Sequence, residues 1–286
     1  MKHDFNITIM LLVLFIFAHI IGLFVIRYYL PQERNLPLNI EKPQLPEKTS
    51  FIPIFISIIF ASLVALLLVK FRAMSLWKLW FFLSVLFTLT ISFTAFIPQL
   101  LAIPLALILT FFKVLKPNIM VHNFTEMFIY GGLAAIFVPV LSFFSIVILL
   151  LLISLYDMIA VWKTKHMISL AKFQSESKMF AGLFIPYSKK KVTAPLEVTK
   201  KIHYTQVKHL EKQAILGGGD IGFPLLFSGV MLKVYGFLPA LFVSVITAAA
   251  LFLLFYFAKK DKFYPAMPFL SAGCFVGYGL AYLIFL

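Results

Sequence analysis

The stretch Leu141–Trp162, LSFFSIVILLLLISLYDMIAVW, decides the fold. It is continuously apolar and long enough to cross a bilayer, which takes about 20 such residues. It carries one charge, Asp157. A second stretch, beginning at Gln213, repeats the arrangement around Asp220, with Gly217-Gly218-Gly219 before it and Ile221-Gly222-Phe223-Pro224 after it. The apolar runs do not alternate, so helices rather than strands are predicted.

Working outward, nine such segments are read: 6–29, 51–70, 77–96, 98–115, 122–140, 141–162, 213–234, 237–258 and 263–285. Pro98, Pro139 and Pro239 mark breaks between them, because proline disfavours helix in the preceding residue. The 77–115 region reads as two tight spans or as one span plus a re-entrant piece. The first segment has no charge between Asp4 and Arg27 and no small-residue cleavage site, so it is read as a retained helix.

The composition agrees. Of 286 residues, 62% are hydrophobic and 13% charged, with a mean hydropathy of +1.00. A soluble domain carries about 25% charge, so a soluble enzyme, a disordered chain and a disulfide scaffold are excluded. The single cysteine, Cys274, has no partner for an internal disulfide. The net charge of +14 reads as loop charge and not as a nucleic-acid site. With the N-terminus cytoplasmic, the segments facing inward hold 20 of the 25 Lys and Arg residues, loop by loop. The fold class expected is therefore an all-α polytopic membrane protein of nine transmembrane helices, N-terminus cytoplasmic and C-terminus external. It divides into helices 1–6 (1–162), a cytoplasmic Lys-rich loop (163–212) and helices 7–9 (213–286). Within that loop, 191–198 is either a mobile linker or a short edge strand able to accept a partner strand.

Eleven acidic residues can each be asked where they sit. Nine, Glu126 among them, fall in or beside loops. His122, Asn123 and Glu126 read as the capped, dipole-favoured start of a helix. His166, His203 and His209 are spread along a solvated loop and do not read as metal ligands. Asp157 and Asp220 remain inside apolar segments. A carboxylate there costs at least ~2.5–3.5 kcal/mol, which marks a functional group by default. No Lys or Arg is read inside a span to neutralise them. Both lie roughly 8–11 Å from the same membrane face at 1.5 Å rise per residue. Two close carboxylates share a proton near neutral pH, so one can activate water while the other protonates a scissile carbonyl. The alternative is a proton- or ion-coupled transporter or leak channel, in which intramembrane carboxylates also occur. Such a protein should scatter polar groups around a midplane site.

Tyr156-Asp157, Gly217-Gly218-Gly219-Asp220 and Pro265-Ala266-Met267-Pro268 resemble the YD, GxGD and PAL motifs of presenilin-type intramembrane aspartyl proteases. The order of motifs and the basic loop between the aspartates extend the resemblance over the chain, in the manner of a microbial or archaeal presenilin homologue. It implies that Asp157 and Asp220 are the catalytic dyad and that Tyr156 packs beside them. Gly217 and Gly219 would permit close approach, and Pro265, Ala266 and Met267 would line the site. It implies hydrolysis of peptide bonds within transmembrane helices, with an added substrate strand near the loop before helix seven. No cofactor, metal, nucleic acid or obligate partner subunit is expected; a homo-oligomer is left open, and the location is the cell membrane. Met267 stands where the family has Leu, and Gly218 is small for a variable position; both point to altered specificity. Signal peptide peptidases share the motifs in the opposite orientation, which the Lys and Arg distribution disfavours. Prepilin peptidases carry Lys where this chain has Gly222.

Overall fold

The computed structural model describes residues 4–31, 34–71, 73–163, 179–186, 213–258 and 264–285. Among them are nine α-helices: α1 Phe5–Tyr29, α2 Phe51–Lys70, α3 Met74–Thr94, α4 Gln99–Leu115, α5 Ile119–Phe137, α6 Phe143–Met158, α7 Gly218–Tyr235, α8 Phe237–Phe257 and α9 Met267–Phe285. Seven are long and apolar enough to cross a membrane. The two others are α4, of 17 residues, and α7, which carries Asp220 and Lys233. The 77–115 region resolves into two helices, α3 and α4, packed on one another.

The axis of the bundle is α7. It packs against α1, α5, α6, α8 and α9. Its residues from Pro224 to Leu232 are buried without interruption, the pattern of a helix surrounded on all sides. By contrast α2 is a peripheral wall with little of its surface covered. The α3–α4 pair forms its own apolar cluster around Leu89, Phe93 and Ala102. It joins the bundle through α5 at Gly132, where an added Cβ would stand 2.1 Å from the Thr88 carbonyl oxygen. Only glycine lets two helix backbones come so close.

One correction to the sequence reading arises here. The run Gln213–Gly217 is not the first turn of helix seven but a strand, β2, paired antiparallel with β1, Gly182–Pro186. Phe184 lies opposite Ile215. The signal was present: Ala214 and Leu216 are buried while Ile215 faces out, a period of two. Five apolar residues running into a helix hide that period. The 191–198 stretch, read as a mobile linker or an edge strand, lies outside the described residues.

At the opposite end of the bundle, Val138–Val140 turns the chain from α5 into α6. Ser142 caps α6 by accepting the Ser145 N–H at 3.1 Å. The Lys233 ammonium, in the last turn of α7, donates to the Pro139 carbonyl at 2.9 Å, the Leu141 carbonyl at 3.4 Å and Glu47 Oε1 at 2.9 Å. The end of α7 is thereby fastened to the start of α6, and the two helices run antiparallel.

Candidate active site

That fastening sets the geometry of the acids. From Phe143 to Asp157 along α6, and from Lys233 back to Asp220 along α7, the chain rises about 20 Å in each case. The two helices pack together, so both aspartates arrive at one level, at the end away from Lys233. Asp157 occupies the last turn of α6 and is 6% exposed; Tyr156 beside it is half-buried. Beyond Met158 the helix widens into a π-turn over Ile159–Lys163, a distortion frequent at functional sites. Asp220 is half-buried in the first turn of α7.

Pro265-Ala266-Met267 closes over Asp157. The Met267 backbone N–H donates to Asp157 Oδ2 at 3.1 Å, and the Ala266 peptide is a further backbone partner of the same carboxyl. Met267 opens α9, so its N–H is one of those that a helix start leaves without an intrahelical acceptor. Pro265 and Met267 are buried and Ala266 half-buried. The hydroxyls of Ser154 and Ser271, 2.9 Å apart, tie α6 to α9 one turn from Asp157.

The three glycines differ in what they do. Gly217 caps α7, and a Cβ there would lie 3.2 Å from Asp220 Oδ2. Gly219 has ordinary room, with the Phe223 ring 3.5 Å from an added Cβ. The tight position is Gly218: a Cβ would meet the Tyr130 hydroxyl at 3.0 Å and the Ala181 carbonyl oxygen at 3.2 Å. The same carbonyl accepts the Gly218 N–H at 3.0 Å. Gly218 is thus small because Tyr130 and the residue preceding β1 abut it.

A cavity of about 680 Å³ lies between α2, α3, α5 and α7, its wall including Thr88, Tyr130, Leu133, Gly218, Gly219 and Phe223. It borders the residues that precede Asp220. Among the described residues, no group of three or more His, Cys, Asp or Glu side chains is placed to hold a metal ion.

The capping assignment of His122, Asn123 and Glu126 is overturned. Asn118 caps α5, its Oδ1 accepting the Met120 N–H at 2.8 Å. Glu126 is 1% exposed and pairs with Lys113, 2% exposed, at 2.7 Å. A cation inside the helices therefore exists, and Glu126 is not a loop acid. His122 Nε2 lies 2.7 Å from the Gly182 carbonyl oxygen, and Asn123 bonds the Phe184 peptide. The signal for this was the spacing of His122, Glu126 and Tyr130, four residues apart on one helix face.

The family described as signal-peptide peptidase, presenilin aspartyl protease matches residues 9–286. A presenilin family intramembrane aspartate protease, solved in the C222 space group, has a similar fold. Its TM-score is 0.65 at 21% identity, covering 97% of this chain and 99% of that one. A second structure under that description, in the P2 space group, gives 0.63 at 20% identity and 96% coverage of both. No curated protein matches the chain. Neither the family match nor the structural likenesses favour the transporter reading. With the two aspartates level and the PAL-like turn bonded to one of them, the match over nearly the whole length is decisive: the chain belongs to the signal-peptide peptidase and presenilin family of aspartyl proteases, and is a multi-pass, intramembrane aspartic endopeptidase.

Proposed function

We propose that Asp157 and Asp220 are the catalytic pair and that all nine helices cross the cell membrane, with the N-terminus and the 163–212 loop cytoplasmic. The observation that supports the pair is the Met267 N–H on the Asp157 carboxyl, on a helix packed against the one that bears Asp220. In the reaction, the ionised carboxylate takes a proton from water as the water oxygen bonds to the scissile carbonyl carbon. The protonated carboxyl gives its proton to the carbonyl oxygen. The tetrahedral intermediate then collapses. The C–N bond breaks, the amine leaves with a proton from the first carboxyl, and the second recovers its own from the diol hydroxyl. Tyr156 supports the pair on α6, Pro265 and Ala266 hold the turn over it, and Gly217, Gly218 and Gly219 keep the approach to Asp220 clear.

The substrate is a transmembrane helix of another protein. The apolar cavity bounded by α2, α3, α5 and α7 suits such a helix, and it ends where α7 begins. A helix must be opened before its peptide bonds can be attacked, and β2 at the mouth of the site offers a strand to pair with the opened segment. The enzyme needs no obligate partner subunit in this reading.

The test is cleavage of a labelled transmembrane substrate by the purified full chain in detergent. Asp157→Ala and Asp220→Ala should each abolish product. Persistent cleavage by either variant would refute the pair.

A further inference from the structure

We propose that Asn123 is a positioning residue that fixes the register of β1 beside the start of α7 and so decides which substrate bond meets the catalytic pair. The proposal rests on the Asp157–Asp220 reading above.

The bonding is specific. Asn123 Nδ2 donates to the Phe184 carbonyl oxygen at 2.7 Å, and the Phe184 N–H donates to Asn123 Oδ1 at 2.9 Å. A side-chain amide has one acceptor oxygen and one donor nitrogen. It can therefore stand in for a neighbouring strand at a single residue. In an antiparallel ladder, the N–H and C=O of one residue point to the same side. Asn123 thus occupies the edge of β1 that faces away from β2. Two residues earlier, on the same edge, the Gly182 carbonyl oxygen lies 2.7 Å from His122 Nε2. On the opposite edge, Ala181 holds the Gly218 N–H, two residues before Asp220. A line of hydrogen bonds therefore runs from α5 through β1 to the first residue of α7.

A buried cluster stiffens the α5 end of that line. The Lys113 ammonium, on α4, donates to Glu126 Oε1 at 2.7 Å and to His122 Nδ1 at 3.1 Å. An ammonium has no acceptor, so Nδ1 must accept. The imidazole proton then sits on Nε2 and is given to Gly182. The other Glu126 oxygen accepts the Tyr130 hydroxyl, which abuts Gly218. Charge buried among apolar helices is costly, and a defined register is one use for it. A strand that slips by one residue exchanges its two faces. Here a slip would break both Asn123 bonds and the His122 bond at once. A substrate segment paired to the sheet would shift with it.

The experiment uses the full chain and the labelled transmembrane substrate, with cleavage products mapped by mass spectrometry and with Asp157→Ala as control. Asn123→Ala should lower kcat by about ten- to hundredfold, as misplacement of about 1 Å does. It should spread cleavage to neighbouring bonds, leave KM near the wild-type value, and speed amide hydrogen exchange in 180–186. Asn123→Asp keeps the acceptor for the Phe184 N–H but sets a second acceptor against the Phe184 carbonyl oxygen, so it should shift cleavage at least as far as Asn123→Ala. It carries the test alone if Asn123→Ala does not fold. A purely structural asparagine would lower the thermal midpoint and leave the cleavage bonds where they were. Wild-type cleavage bonds and kcat in a folded Asn123 variant, with Asp157→Ala inactive, overturn the positioning role alone. Cleavage by Asp157→Ala overturns the catalytic pair instead.

Discussion

Met267→Pro isolates a single peptide N–H. Met267 donates to Asp157 Oδ2 at 3.1 Å and is the first residue of α9. Proline is tolerated at a helix's first position, where its fixed φ suits the helix and the missing N–H has no intrahelical acceptor. The residue before a proline favours extended backbone, which is also the usual conformation of a helix cap. Ala266 is that cap, its carbonyl accepting from Phe269 and Leu270. The substitution therefore subtracts the donor with little cost to the helix. A hydrogen bond to a charged group contributes about 1.5–3 kcal/mol, and each 1.36 kcal/mol is tenfold in rate. If the N–H holds Asp157 in its reactive orientation, kcat falls by about ten- to hundredfold. Met267 is also buried, so the reference is Met267→Ala. That variant loses the side chain but keeps the N–H, and both should lose stability through the truncation by about 2–5 kcal/mol. The assay is cleavage of the transmembrane substrate at saturation, with thermal unfolding alongside. Equal kcat, within about twofold, for the proline and alanine variants refutes the role given to the N–H.

Gly218→Leu should move the cleavage profile and lower kcat, because a Cβ at this position crowds Ala181 and Tyr130; an unchanged product map would remove Gly218 from the specificity argument. Lys113→Met strands the Glu126 carboxylate and should cost about 3–5 kcal/mol, whereas Lys113→Met/Glu126→Gln should recover much of that; thermal unfolding in which the single variant is no worse than the double refutes the buried pairing.

What the sequence reveals and conceals follows from how far each signal extends along the chain. The apolar runs locate all nine helices to within a few residues, because burial in lipid demands long unbroken segments. Asp157 and Asp220 stand out because each is the only acid in such a run. Lys113 and Glu126 do not, since each lies near a helix end where a charge normally snorkels to water. Their partnership is made by α4 folding back on α5, a long-range event without a local signature. The β1–β2 pair is concealed for a related reason: five residues on each side leave too short a pattern to separate from helix. In the sequence Gly218 reads only as a small residue at a variable position, pointing to altered specificity. Its tightness is visible only once Ala181 and Tyr130, distant in sequence, are brought beside it.

The two aspartates are held by different means, and the difference has a consequence. Asp157 is buried at the end of a packed helix and bonded by the backbone of the α9 start. The donor of that bond is backbone, so truncating the Met267 side chain leaves it in place. Asp220 stands in the first turn of a helix that begins with glycines, directly after a strand. The height of that turn is referred to β1 through the Ala181–Gly218 bond, and β1 is referred to α5 through Asn123 and His122. Substitutions on α4 and α5 should therefore displace Asp220 relative to Asp157, and not the reverse. The helix beneath Asp220 is fixed at its far end by Lys233 and along its length by five neighbours, so the displacement is confined to its first turn. If the two aspartates are the catalytic pair, as proposed, a change in their spacing, produced from residues that touch neither carboxyl, is the expected route by which α5 affects the reaction while the bundle remains intact.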